Sequence, residues 1–143
     1  MKKRLKQLLS LTLALCFLIT PVSVLANAVE PRYNNTFSVT TAMTINEDGL
    51  MTIGYSYNGF DGVATKAIIT TYIEKRTLLF FWERINIGME DNQWVDRIAR
   101  ENYTYGREVQ LYNSGTYRVK VTYKIYGSGG AADVIEYEGT DSF

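Results

Sequence analysis

The chain has 143 residues, with 15 basic and 15 acidic side chains and no histidine. The lack of histidine excludes a Ser-His-Asp triad and histidine-based zinc sites. The charge balance does not favour nucleic acid as a partner.

The first 28 residues have the pattern of a cleaved signal peptide. Four basic residues precede an apolar run over residues 8–19, and the small-residue sequence Ala26-Asn27-Ala28 follows. A charged, an apolar and a small-residue segment in this order are typical of export signals. The apolar run is also shorter than the roughly 20 residues that span a membrane. We therefore predict a secreted, extracellular protein whose mature chain begins at Val29.

The only cysteine, Cys16, lies within the apolar run of the signal. It follows Leu15 rather than a small residue, so we do not expect lipid attachment. The mature chain of 115 residues would contain no disulfide and would carry 11 basic and 15 acidic residues, a net charge of −4. That length suits one domain held together by packing alone. We predict a flexible leader over residues 29–35 and a single domain over residues 36–143.

The domain opens with two predicted strands. Apolar and polar residues alternate from Phe37 to Ile45, which indicates a half-buried strand. Asn46-Glu47-Asp48-Gly49 has the acidic turn-former and the glycine of a tight turn. In the second strand, the side chains expected to face the core are Met51, Ile53, Tyr55 and Tyr57.

The middle of the chain predicts a hairpin and then weaker strands. Residues 65–76 form a third strand with Ala67, Ile69, Thr71 and Ile73 on one face, and residues 78–85 return as its partner. Residues 94–98 fit a short or edge strand. Two further weak strands are predicted near Tyr103 and over residues 107–112.

The clearest strand pattern lies near the end of the chain. Residues alternate without a break from Thr116, and one face carries Tyr117, Val119, Val121, Tyr123 and Ile125. A last strand over residues 132–138 would place Lys120 opposite Glu138 and Thr122 opposite Glu136. The basic stripe on the long strand is therefore interpreted as a set of cross-strand ion pairs rather than a polyanion site.

Leu111, Gly115 and Tyr117 repeat the spacing found where strand E turns into strand F in immunoglobulin-like sandwiches. In such corners the tyrosine hydroxyl bonds to nearby backbone, so the three residues are predicted to be structural. Seven or eight short strands and no helical periodicity predict an all-β fold, an immunoglobulin-like antiparallel β-sandwich.

One candidate contact patch is the continuous apolar run Leu78, Leu79, Phe80, Phe81 and Trp82, placed where a hairpin turn is normally polar. If exposed, it could contact a protein partner, another copy or lipid. The alternative is that the turn folds back and covers the open end of the core. The charged residues flanking the run are Lys75, Arg76, Glu83 and Arg84.

A second candidate site combines two loops, over residues 58–62 and 127–130. The connections between strands B and C and between strands F and G meet at one end of such sandwiches. Glycine would let a ligand approach the backbone closely, and the alternative is a pair of solvent-facing turns. The residues of this candidate site are Gly59, Phe60, Asp61, Ser128 and Gly129.

We predict no catalytic residues, no cofactor and no metal site. Neither Asn46-Glu47-Asp48-Gly49 nor Glu90-Asp91-Asn92 has the spacing of a dedicated calcium loop. A compact glycan hydrolase with two carboxylates in one cleft is the less favoured alternative. The tyrosines left as candidates for surface contacts are Tyr72, Tyr103, Tyr105, Tyr112 and Tyr126.

Four segments of the mature chain are distinctive: residues 75–82, Trp94-Val95-Asp96, Gly115-Thr116-Tyr117 and residues 125–133. In these segments the chain resembles an uncharacterised family of small secreted proteins of Gram-positive, Clostridia-type bacteria. The resemblance implies secretion by a Gram-positive bacterium and a single β-rich domain, and it carries over no site residues.

Secretion, one sandwich domain and the lack of a catalytic constellation predict a non-catalytic module that binds a cell-surface, protein or glycan partner. The alternative is a small secreted effector that is bacteriocin-like or toxin-like. Membrane contact is a hypothesis tied to the apolar run, and the sequence leaves the oligomeric state open.

Overall fold

The computed structural model describes residues 32–143. The predicted signal peptide and the first residues of the leader lie outside this range. Within it the chain forms eight strands and one short 3₁₀ turn, Glu90–Asn92. The strands are β1 Thr36–Ile45, β2 Leu50–Gly59, β3 Ala64–Thr77, β4 Phe81–Arg84, β5 Trp94–Ile98, β6 Asn102–Gln110, β7 Thr116–Gly127 and β8 Asp133–Ser142. None of the described residues belongs to a helix long and apolar enough to span a bilayer.

The eight strands form two antiparallel sheets. The smaller sheet has the order β1-β2-β6. In the larger sheet, β7 lies between β3 and β8, and the other edge of β3 is shared by β4 and β5. This arrangement confirms the predicted all-β antiparallel sandwich of seven or eight strands.

The core lies between the inward faces of β2, β3 and β7. The predicted alternation is confirmed, because the inward side chains of these three strands are almost fully buried. They are Met51, Ile53, Tyr55, Tyr57, Ala67, Ile69, Thr71, Ile73, Tyr117, Val119, Val121, Tyr123 and Ile125. Burying each of the larger aliphatic side chains contributes about 1.5–3 kcal/mol, which allows a domain without disulfides to be stable.

Strand β1 departs from its predicted pattern at Phe37. The pairing with β2 shifts between Thr36 and Ser38, so Thr36 turns inward and Phe37 is 73% exposed. The prediction that Phe37 faces the core is wrong because this bulge adds a residue on one strand and reverses the side-chain direction. Beyond the bulge, Val39 and Met43 pack against the core as expected.

The two weak strands predicted near Tyr103 and over residues 107–112 are one strand. β6 pairs with β2 without interruption from Asn102 to Gln110. Gly106 lies opposite Gly54 in this pairing, so the alternation of side chains is lost in the sequence although the backbone pairing continues. The last strand is also longer than predicted and extends to Ser142.

The end of the predicted flexible leader is anchored to β8. The backbone amides of Asn34 and Asn35 donate to the two carboxylate oxygens of Asp133, each over 2.8 Å, and Asn35 is fully buried. Both asparagine side chains also donate to the carbonyl of Ala131. The polar residues at the end of the predicted leader therefore have hydrogen-bond partners from the far end of the chain.

The turn between β1 and β2 and the connection before β7 are held by the hydrogen bonds that their residue types predict. The side chain of Asn46 accepts hydrogen bonds from the amides of Asp48 and Leu50, and Gly49 has a φ of 78°. At the connection before β7, the Tyr117 hydroxyl donates to the carbonyl of Asn113 over 2.5 Å. Leu111 is buried beneath this connection.

Gly115 suits the same corner because of its backbone conformation. Its φ of 145° is one that residues with a side chain rarely adopt.

The outer face of the larger sheet carries the predicted ion pair of Lys120 with Glu138. The two residues lie opposite each other, and their charged atoms are 3.2 Å apart. Hydrogen bonding to Lys120 holds the pKa of Glu138 below its ordinary value. Arg118 also pairs with Glu138 and, across the sheet, with Glu74. This supports the interpretation of the basic stripe as cross-strand pairing.

Candidate functional site

The apolar run lies at the turn of the β3–β4 hairpin. Thr77 pairs with Phe81, and a turn over residues 78–80 connects them. Ile73 is the last fully buried residue of β3. Four residues separate it from the end of the strand, a length of about 13 Å. The hairpin therefore continues beyond the part of β3 that forms the core.

Residues 78–81 form the exposed end of the hairpin, which we call the tip. Leu78 is 83% exposed, Leu79 79%, Phe80 82% and Phe81 67%. None of the four belongs to the core cluster. The alternative in which this turn covers the open end of the core is therefore wrong. On a typical monomer the largest contiguous apolar patch covers about 300–600 Å² and is often a functional surface, so four adjacent exposed side chains of this kind mark the tip as a candidate contact surface.

Trp82 is separate from the tip, although it was included in the predicted patch. Its ring is partly buried on the outer face of the larger sheet, with the Arg118 guanidinium 4.3 Å from the ring centre. Arg118 is held on its other side by Glu74 and Glu138. Trp82 thus belongs to the stem of the hairpin, because the alternation of β4 directs it towards a neighbouring strand.

Three cations surround the base of the tip, and we call them the cationic rim: Lys75, Arg76 and Arg84. Within residues 32–143, none of them lies at ion-pair distance from a carboxylate. Their neutral acceptors are the carbonyl of Asn113 for Lys75, the hydroxyl of Thr116 for Arg76 and the carbonyl of Asp91 for Arg84. Two carboxylates lie on the same stem, because Glu83 is opposite Lys75 and Glu74 is opposite Arg84 in the pairing of β3 with β4. The three cations therefore still leave the stem with a net positive charge.

The two candidate loops lie at the same end of the sandwich. Ala64 pairs with Gly127, and the amide of Ser128 donates to the carbonyl of Val63. A shallow cavity of about 320 Å³ lies at this end. Its lining includes Gly59, Phe60 and Asp61 but not Ser128 or Gly129, so the structure does not join the five residues into one site.

The glycines of these loops are explained by internal packing. A side chain at Gly59 would overlap Ala64, and one at Gly129 would overlap the carbonyl of Asn34. The close approach that glycine permits is used by the chain itself. The expectation that these glycines leave room for a ligand is not supported by their surroundings.

A cluster around Arg107, which was not predicted from the sequence, lies at the edge where β5 and β6 belong to different sheets. Arg107 pairs with Asp96 at 2.5 Å, and both side chains are mostly buried. Its guanidinium lies 5.0 Å from the ring centre of Trp94 and 5.1 Å from that of Tyr105. Both Asp96 and Arg107 fall on the inward phase of their strands. Opposite charges on the inward phase of two strands are the signal that could have revealed the pair.

The Arg107 cluster borders a cavity of about 440 Å³, lined by Thr52, Trp94, Tyr105, Gly106, Arg107 and Glu108. Behind it, Tyr55 is buried in the core. Burial raises the pKa of Tyr55 to about 12, and the neighbouring Thr71 and Arg107 oppose this shift. Two other candidate surface tyrosines differ in how much of the ring is free. The Arg84 guanidinium covers the ring of Tyr72, whereas Tyr112 is largely exposed.

Within residues 32–143, His, Cys, Asp and Glu side chains nowhere form a group of three or more that could hold a metal ion.

No family model matches the chain, and no curated protein matches it. Two solved structures are similar, both of a β-glucosidase from Listeria innocua, one in complex with gluconolactone and one with glucose. Each has a TM-score of 0.42 and 16% identity over 73% of this chain and 16% of the β-glucosidase chain. The chain thus spans about a sixth of the protein that it matches, and the similarity assigns neither a family nor an activity.

Proposed function

We propose that the protein is a secreted, non-catalytic module that binds a partner at the cell surface through the tip. The observation that carries the proposal is the exposure of four consecutive apolar side chains, from 67% to 83%, at the end of a paired hairpin. Such a run is unfavourable in water unless it is covered during function.

The hairpin stem is suited to presenting the tip. Four pairs join β3 to β4, and Trp82 and Arg84 on the stem stack against Arg118 and Tyr72. The stem is therefore ordered before binding, which lowers the entropy cost of association. Covering the tip could supply several kcal/mol at about 25 cal/mol per Å².

The test is binding of the purified protein to isolated cell envelopes, with the variant Leu79→Ser/Phe80→Ser compared with the natural protein. We expect the variant to lose most of its binding while its thermal midpoint stays unchanged, because neither side chain belongs to the core. The matched control is Phe37→Ser, which removes an aromatic ring of similar exposure at the opposite end of the sandwich. Binding of the tip variant equal to that of the natural protein would refute the proposal.

A second candidate function, glycan binding, is favoured by the cavity at the Arg107 cluster. It combines two aromatic rings, a paired guanidinium and the Glu108 carboxylate around about 440 Å³. Aromatic faces beside polar groups are a common way to hold a sugar ring. Tyr105→Ala should then weaken binding to an envelope polysaccharide, whereas the tip variant should bind it normally. Equal polysaccharide binding by both variants would exclude this site.

A further inference from the structure

We propose that the surface bound by the tip is the interface of a lipid bilayer containing anionic headgroups. This inference rests on the proposed function, because it names the class of partner for the same tip. It is carried by three features of the hairpin: the chemistry of the tip, the charge of the rim and the position of Trp82.

The tip side chains offer only hydrocarbon. Two leucines and two phenylalanines provide no hydrogen-bonding atom, and they project from a convex turn. Protein interfaces usually contain about one hydrogen bond per 100–200 Å² and depend on complementary shape. A bilayer interface accepts exposed apolar side chains without either requirement. The tip therefore fits a lipid surface better than a protein pocket.

The cationic rim has the opposite sign to the domain that carries it. Lys75, Arg76 and Arg84 against Glu74 and Glu83 give the stem at the base of the tip a net charge of +1. Residues 32–143 as a whole contain 11 basic and 14 acidic side chains, a net charge of −3. Cations next to an inserting apolar segment attract anionic headgroups over about one Debye length. The charge at the rim is thus complementary to an anionic lipid surface.

Trp82 lies at the depth where a membrane interface favours an indole ring. It follows Phe80 by two residues, about 7 Å along a strand. Apolar faces of interfacial segments enter about 5–10 Å into the boundary between headgroups and acyl chains. With the tip inserted, Trp82 and its partner Arg118 would lie at headgroup level, where amphipathic aromatic rings concentrate.

The backbone limits how deeply the tip can enter. A turn leaves some amides and carbonyls without partners in the hairpin, and such groups are costly in hydrocarbon. The contact is therefore shallow and reversible.

The first experiment measures sedimentation of the protein with vesicles of phosphatidylcholine alone or mixed with phosphatidylglycerol. We expect binding to the mixed vesicles that weakens as salt is raised. Leu79→Ser/Phe80→Ser should lower the partition coefficient by about tenfold or more, and Phe37→Ser should leave it unchanged. Lys75→Gln/Arg84→Gln should reduce binding to the anionic vesicles but not the weak binding to neutral ones.

The second experiment follows Trp82 directly. The protein has two tryptophans, so Trp94→Phe leaves Trp82 as the only one. We expect its fluorescence to shift to the blue on vesicle binding and to be quenched more by lipids brominated near the headgroup than near the bilayer centre.

The outcomes separate this inference from the proposed function. If the natural protein ignores all vesicles while its envelope binding still depends on the tip, the partner is a protein or glycan and the lipid inference is wrong. If the tip variant binds vesicles and envelopes as the natural protein does, both proposals fail. Equal affinity for neutral and anionic vesicles would overturn the role given to the rim.

Discussion

At the scale of single residues, Asp133 connects the two ends of the domain. Its carboxylate accepts hydrogen bonds from the amides of Asn34 and Asn35 and from the hydroxyl of Thr36, each over 2.8 Å. The side chain is almost fully buried, so its charge is compensated by these donors rather than by water. One residue thereby fixes where β1 begins relative to β8.

Asp133→Ala should lower the free energy of unfolding by about 3 kcal/mol, because three donors lose a charged acceptor and two of them are buried. Urea denaturation measures the change. Glu136→Ala, on the exposed face of the same strand, is the control and should change stability by less than about 0.5 kcal/mol. A similar small effect at Asp133 would show that the anchor is dispensable.

Tyr117→Phe should lower stability by about 1 kcal/mol or more through loss of the hydrogen bond to Asn113. The comparison is with Tyr112→Phe, which removes a hydroxyl from a side chain that is 89% exposed. Coincident denaturant midpoints for Tyr117→Phe and the natural protein would contradict this prediction.

The buried phenol of Tyr55 should make the protein less stable in alkali. Burial raises its pKa from 10.0 to about 12, so between these values the unfolded chain loses the proton while the folded protein keeps it. The contribution of Tyr55 to the free energy of unfolding is therefore fully present below about pH 10. It is lost as pH rises towards 12, at a rate on the order of 1 kcal/mol per pH unit.

Urea denaturation at several pH values measures this slope. Tyr55→Phe has no ionisable group at this position, so its slope above pH 10 should be smaller. An identical slope in the two proteins would assign the alkaline loss of stability to other groups.

At the scale of elements, the β3–β4 hairpin stores strain in its turn. Leu78 has a φ of 55°, in the left-handed region that favours glycine. A strained, exposed leucine at the first turn position stabilises neither the turn nor the core. Its presence is consistent with a role in contacts made by the tip.

Leu78→Gly should raise the free energy of unfolding by about 0.5–1 kcal/mol, because glycine adopts this backbone conformation without steric cost. Thermal and urea denaturation would measure the gain. Leu79→Gly is the matched control, since Leu79 does not have a positive φ and the substitution should be neutral or destabilising. A loss of stability in Leu78→Gly would show that the leucine is not strained.

Alternation predicted well the strands with one buried face and partners on both sides. It located the inward faces of β2, β3 and β7, because their side chains meet one continuous core. It failed at Phe37 and at Gly106, where a bulge or a missing side chain interrupts the pattern while backbone pairing continues. These features depend on the partner strand and are not visible in a single segment.

At the scale of the whole molecule, the sequence could not locate contacts between the two sheets. Asp96 and Arg107 meet only because β5 and β6 form neighbouring edges of different sheets. The exposure of the tip likewise depends on where the core ends along β3, which the composition of the hairpin does not specify.

Export should remove residues 1–28, because the segment ends at Ala26-Asn27-Ala28. Mass spectrometry of protein recovered from the culture medium should give an N-terminus at Val29. Ala26→Lys should block this processing, because the cleavage site requires small residues. An intact N-terminus on the secreted natural protein would contradict the signal.

The shared edge of β3 affects how copies of the protein can aggregate. β3 is the longest strand, and an uncovered edge of that length would be a template for other chains. Instead β5 covers positions 67–71, β4 covers positions 74–77, and the carbonyl of Ile73 accepts from the amide of Ile85. If the protein associates through its apolar tips at high concentration, β3 offers little free edge on which a fibril could grow.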